Sequence, residues 1–145
     1  MVTRAVLPIV FLVVLIGTAV SAQEAKDELD GLQGQWVGVS REDRGKKMPD
    51  EIATQRKLTI QGNRWIVKGR NGPEGDFAIQ TDPSKNPKTI DVTLKADKGT
   101  FTFVGIYKLE GDTLTVCLRP APRGRPEQFE TTKQGGNLEV WRRAK

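Results

Sequence analysis

From Gln35 onward the chain is a succession of short runs in which apolar and polar residues alternate. Leu58 and Ile60 alternate with Lys57, Thr59 and Gln61; Ile90, Val92 and Leu94 with Asp91, Thr93 and Lys95; Leu114, Val116 and Leu118 with Thr113, Thr115 and Cys117. A period of two marks a strand with one dry face and one wet face. Gly, Pro, Asn and Asp punctuate the runs, and none of them sustains a helical period. Eight strands are predicted: Gln35 to Ser40, Arg56 to Gln61, Arg64 to Lys68, Asp76 to Thr81, Thr89 to Lys95, Thr100 to Leu109, Thr113 to Leu118 and Asn137 to Arg142. Tight hairpins are expected at Gly62-Asn63 and Gly111-Asp112, because Gly accepts the positive φ that such turns demand. The segment Thr81 to Lys88 carries Pro83 and Pro87, which cannot donate to a ladder, and reads as a loop. Two-faced ribbons joined in this way wrap around one core and remove their own edges on closure. The expected fold is all-β, an eight-stranded up-and-down antiparallel barrel, with a two-sheet sandwich as the competing solution.

Ahead of the strands, residues 1–22 (MVTRAVLPIVFLVVLIGTAVSA) place Arg4 before an uncharged apolar run, Ala5 to Ile16, and end in small residues. That order is a signal peptide, with cleavage expected before Gln23. The run is shorter than the roughly 20 apolar residues a membrane span needs, so no transmembrane span is expected after cleavage. The expected location is outside the cytoplasm, periplasmic or extracellular. Residues 23–33 read as an N-terminal arm or short helix ending around Gly31 and Gly34, and residues 34–145 as the barrel domain. Met48-Pro49-Asp50-Glu51-Ile52 reads as one helical turn, with Pro49 at its first position.

Charge and composition narrow the chemistry. The net charge of +5 falls by one when Arg4 leaves, and both signs are interspersed, which implies solubility rather than a dedicated polyanion partner. The chain has no histidine and one cysteine. Ser-His and Cys-His nucleophile systems, His-ligated metal sites and an internal disulfide are thereby excluded. No cofactor and no metal are expected, and no pair of acids on one strand face is suited to acid–base work. A non-enzymatic module is the expectation.

Cys117 has two readings. Either Arg119, two residues on along the same face, lowers its pKa and makes it reactive, or it is a small residue packed at the rim or under a loop; the second is favoured. The segment Arg119 to Glu127 holds three arginines and three prolines, and is either a loop for an anionic group or a solvated link after the seventh strand. Its cations are not interleaved with aromatics, so nucleic acid is not an expected partner. The candidate ligand-binding residues are Trp36, Phe103, Tyr107, Arg119, Phe129 and Trp141, whose aromatic members either fill the lumen or line a pocket. Two functions follow: holding a small apolar or amphipathic ligand in the barrel mouth, or engaging a protein partner through the N-terminal arm and the arginine-proline loop.

The ordered set LQGQW at residues 32 to 36, KMPDEI at 47 to 52, NPKTIDV at 86 to 92, GIYKLEGDTLTVC at 105 to 117 and RPEQF at 125 to 129 resembles the lipocalin-like domain family of exported planctomycete proteins. The resemblance runs from about Leu29 to Arg143 and implies an eight-stranded lipocalin-like barrel; it implies no activity. Gly34-x-Trp36 is also similar to the start of true lipocalins, in which the tryptophan closes one barrel end beneath an arginine of the last strand. That likeness assigns the stacking cation to Arg142 or Arg143. The Thr-Asp-Tyr type motif of true lipocalins is not present. Leu32-x-Gly34-x-Trp36 is similar as well to barrel inhibitors of secreted metalloproteases, whose cysteine pair this chain lacks.

Overall fold

The computed structural model describes residues 18–145, with side chains from residue 22 onward. The expected signal peptide lies largely outside the described residues. The elements are α1 (Thr18–Leu32), β1 (Gly34–Asp43), β2 (Lys46–Lys47), α2 (Asp50–Ala53), β3 (Lys57–Gln61), β4 (Arg64–Gly69), β5 (Gly72–Asp82), β6 (Lys88–Ala96), β7 (Gly99–Glu110), β8 (Thr113–Pro120), a 3-10 turn (Ala121–Arg123) and β9 (Asn137–Arg143). Neighbouring strands pair antiparallel in the order β2-β1-β3-β4-β5-β6-β7-β8-β9, and β1 pairs in addition with β9. That last pairing closes β1 and β3 through β9 into an eight-stranded, lipocalin-like antiparallel barrel, leaving β2 as a short extra strand. Each predicted run forms a strand. Gly62 and Gly111, both at φ 60°, sit at the first central position of their hairpin turns, where positive φ matches the twist of the flanking strands.

The two ends of the barrel are closed differently. At the base, α1 inserts Leu32, which is fully buried, and packs Leu29 on the core. Trp36 Nε1 donates to Leu32 O at 3.0 Å, while Arg143 donates to Gln33 O at 2.9 Å and Gly31 O at 2.7 Å. The Arg143 Cζ lies 4.3 Å from the Trp36 ring centroid, so Arg143, not Arg142, is the stacking cation. A cation here also meets the negative end of the helix. Glu28 pairs with Lys88 at 2.8 Å, fixing the outer turn of α1 to the start of β6.

Three local features depart from expectation. The helix is already formed at Thr18, the first described residue, and continues through Gly31 instead of stopping there, because burial of Leu29 and Leu32 outweighs the roughly 1 kcal/mol that glycine costs within a helix. Pro49 caps α2 from outside with extended backbone (φ −54°, ψ 136°), and its carbonyl accepts from both Ile52 N and Ala53 N at 3.0 Å. The outer face of β8 is dry at Thr115, because residues 121–136, read as a solvated link, fold back over the wall; Cys117 is packed beneath them, as its favoured reading has it. Cys117 Sγ donates to Glu130 O at 3.3 Å under this strap, and Pro126 of the strap is fully buried.

Gly38 faces the lumen where the chain of α2 crosses closest. Its N–H donates to Arg56 O at 2.9 Å, and a Cβ at this position would run into the Ala53 carbonyl. Backbone cannot yield as a flexible side chain does. Gly38→Ala is expected to destabilise the fold by about 1–3 kcal/mol. An unchanged urea midpoint would show that the α2 segment is not held against β1.

Candidate functional site

A one-residue irregularity in β1 sets up the upper end of the barrel. Trp36 pairs with Arg143 and Gly38 with Trp141, but the register then shifts so that Ser40 pairs with Val140 and Arg41 with Glu139. The extra residue, Val39, turns Arg41 into the lumen in place of Ser40, as β-bulges beside sites commonly do. From the facing strand, Asn137, Glu139 and Trp141 share the inward side of β9. Arg56 enters from the end of the α2 segment, and Glu74 from β5.

These side chains form one ionic cluster, buried at Arg56 and Glu139 and open to solvent at Glu74. Glu139, 5% exposed, accepts from Arg41 and from Arg56 Nη2 (3.4 Å) through Oε1, and from Trp141 Nε1 through Oε2 at 3.1 Å. Arg56, 3% exposed, also donates from Nε to Glu74 Oε2 at 3.0 Å, and its Cζ lies 4.9 Å from the Trp141 ring centroid. Arg41 bonds Asp43 as well, at 3.0 Å. Burial opposes the charge on Arg41, yet Glu139 and Asp43 outweigh it and hold the guanidinium above its ordinary pKa.

Above this cluster lies a cavity of about 200 Å³. Its charged side is the cluster itself, and its apolar side is built by Trp65, Val67, Phe77, Val92, Phe103 and Leu118. Phe103, Leu118 and Asn137 also border an outer vestibule of about 330 Å³, whose far wall includes Arg44, Arg123 and Gly136. The two spaces therefore adjoin at these three side chains. Among the described residues, Asn137 Oδ1 is buried there without a hydrogen-bond partner. A larger groove of about 1050 Å³ runs over the outer wall at the base, between α1, residues 82–87 and Arg125. It is open and polar, with Arg125 already bound to Asp91 at 2.8 Å, and encloses nothing.

The six candidates from the sequence do not come together in one place. Phe103 lines the cavity. Trp36 and Trp141 are fully buried, Trp36 closing the base and Trp141 lying beneath Arg56 as part of the cluster's floor. Tyr107 is 1% exposed within the lower core. Phe129 lies outside the barrel beneath Lys108 Nζ, 4.8 Å from its ring centroid. Arg119 is on the outer face of β8 near Arg123 and Gly135. Arg125 is docked on the wall, donating to Ile90 O and Gly105 O.

Arg41, Arg56, Glu74, Asn137 and Glu139 did not emerge from the sequence. In Asn137 to Arg142 the eye takes Leu138 and Val140 as the dry face, yet they point outward and the polar parity points in. The usable signal was Trp141: an indole in a closing strand belongs inside, and period two then carries Glu139 and Asn137 with it.

Burial pushes the Cys117 thiol up, against a smaller opposing effect of the Arg119 charge, so this thiol stays protonated at neutral pH. Burial likewise drives the Tyr107 phenol well above its usual value, and the Glu28 carboxylate adds to this. Glu28 and Thr81 flank the hydroxyl, but neither meets it in hydrogen-bond geometry. Among the described residues no group of three or more acidic or cysteine side chains is placed to hold a metal ion, and no helix is long and apolar enough to cross a membrane. Comparison with protein-family models, curated proteins and solved structures finds no match.

Two measurements follow. Glu139→Gln leaves two guanidinium groups competing for Glu74 and Asp43 in a buried setting, and is expected to lower stability by about 3 kcal/mol in urea unfolding. A loss under about 1 kcal/mol would place the cluster among weak surface pairs. The second concerns pH. A tyrosine whose folded pKa lies above its unfolded value contributes stability that is present below about pH 10 and lost as pH rises further, because the unfolded chain ionises first. Tyr107→Phe is therefore expected to match or exceed the wild type at pH 7, since it removes an unpartnered hydroxyl, and to lose less stability above about pH 10.

Proposed function

We propose that this protein is an exported, non-enzymatic binding module that holds a small, partly apolar molecule in the mouth of its barrel. The observation that carries the reading is the cavity of about 200 Å³ with an aromatic wall on one side and an internally neutralised ionic cluster on the other. Ligand pockets commonly span about 300–1,000 Å³, and this one reaches that range only with its vestibule. A single ring with a short substituent is the size it favours. Both cavity carboxylates, Glu74 and Glu139, are taken up by guanidinium partners, an arrangement suited to shaping a wall rather than shuttling protons to a substrate. The segments that the protein-interaction reading would use are tied to the barrel: α1 through Leu29 and Leu32, and the arginine-proline strap through Arg125. The export reading is supported by the Arg4, apolar-run and Val20-Ser21-Ala22 order, and the lipocalin-like family reading by the five segments it rests on.

Trp65 in the cavity wall provides the readout. Titration with benzyl alcohol is expected to give saturable changes in tryptophan emission, with NMR shifts concentrated on Trp65, Phe103 and Leu118. Leu118→Phe, which extends a ring into the space, should abolish them while leaving the fold intact by circular dichroism. Non-saturable binding, or binding untouched by Leu118→Phe, would remove the reading. Native mass spectrometry of protein from its source should show a retained molecule of this size.

A further inference from the structure

The ionic cluster consumes its own charges, but the rim above it does not. Arg44 and Arg123 border the vestibule, and neither pairs with an acid among the described residues. Arg119 stands beside Arg123 in the adjoining recess. The one acid on the vestibule wall, Asp43, is engaged by Arg41. Arg41 is shared between Asp43 and Glu139, so Asp43 offsets one rim cation, and Arg44, Arg123 and Arg119 together still leave the rim with an excess of positive charge. Its shape is also specified by the backbone. Arg44 is held at φ 46°, a conformation non-glycine residues adopt sparingly, with its N–H bound to Gly136 O at 3.0 Å. At Gly136 a Cβ would press within 3.2 Å of Arg119 Cγ, so bare backbone keeps that wall open.

Between the rim and the aromatic wall stand the side chains that border both spaces, and among them Asn137 Oδ1 is buried without a donor. Buried acceptors without partners are rare in folded proteins, and one at the boundary of two adjoining spaces is available to a ligand that reaches across both.

Resting on the mouth-binding reading, we infer that the ligand is an aromatic carboxylate with a hydrogen-bond donor between its ring and its acid group, of which an N-acyl amino acid is the simplest kind. The ring packs among Trp65, Phe77 and Phe103, the N–H donates to Asn137 Oδ1, and the carboxylate is received at the rim by the planar forks of Arg44 and Arg123. Each of the three groups on the protein is met by one on the ligand, and no charge has to enter the desolvated interior.

Hippurate (N-benzoylglycine) tests this, measured by calorimetry against two relatives. Its ethyl ester lacks the charge, and 3-benzoylpropionate replaces the N–H by a methylene at equal length. Hippurate is expected to bind roughly tenfold tighter than the ester, the scale of a charge-assisted pair at a partly solvated site, and several-fold tighter than the methylene analogue. Arg44→Gly, which suits the left-handed backbone, combined with Arg123→Gln on the surface, should erase the preference for hippurate over the ester without weakening the ester. Raising salt to about 1 M, where screening acts over about 3 Å, should do the same. Equal binding of ester and hippurate overturns the anion assignment, and equal binding of hippurate and 3-benzoylpropionate overturns the role of Asn137. If benzyl alcohol binds and hippurate gains nothing over its ester, this inference fails alone. If benzyl alcohol and hippurate both fail to bind, the mouth reading falls with it.

Discussion

The molecule depends on the ladder between its first and last barrel strands. The seven pairings between strands adjacent in sequence form locally or across one longer link, but β1 and β9 are separated by nearly the whole chain and must find each other to abolish both edges. The cost of that long closure is repaid at both ends of the ladder. At the base Arg143 stacks on Trp36 and grips the carbonyls of α1; at the mouth Arg41 meets Glu139, one register step past the bulge. The same ladder thus seals one opening and furnishes the other.

This asymmetry explains why the barrel is filled below and hollow above. Below, indole, phenol and leucine side chains meet the apolar face of a helix in one buried cluster, with the Tyr107 hydroxyl unpartnered among the described residues. Above, the wall bends away after Gly38, and charged groups occupy positions where further aliphatic side chains would have completed the core. A buried ionic cluster is not a strong source of stability compared with hydrophobic packing of equal volume. Its retention there makes sense as architecture: it keeps Arg56 flat against Trp141 and holds the polar side of the cavity at a fixed distance from the aromatic side.

The strands were legible because period two survives in each of them, and the hairpins because Gly62 and Gly111 mark them locally. The base was legible in outline only through the resemblance that the Gly34-x-Trp36 entry carries, which implied a stack with Arg142 or Arg143 without telling the two apart. The mouth was not. Arg41 faces inward only because Val39 is an extra residue, and a bulge leaves no trace in the alternation until its partner strand is known. Glu139 was hidden for a different reason: Leu138 and Val140 mimic a dry face, although they lie outside where β9 receives partial cover. The strap over β8 escaped as well, because arginine and proline composition describes a loop without saying what the loop lies upon.

That strap gives the molecule an internal clock. The only thiol in the chain is sequestered beneath it, fastened to a carbonyl of the strap itself, so alkylation has to wait for the cover to lift. Modification rates in native buffer would then time the detachment of one segment from an otherwise intact cylinder, and the thermodynamics of that partial opening could be separated from global unfolding without placing any label in the wall.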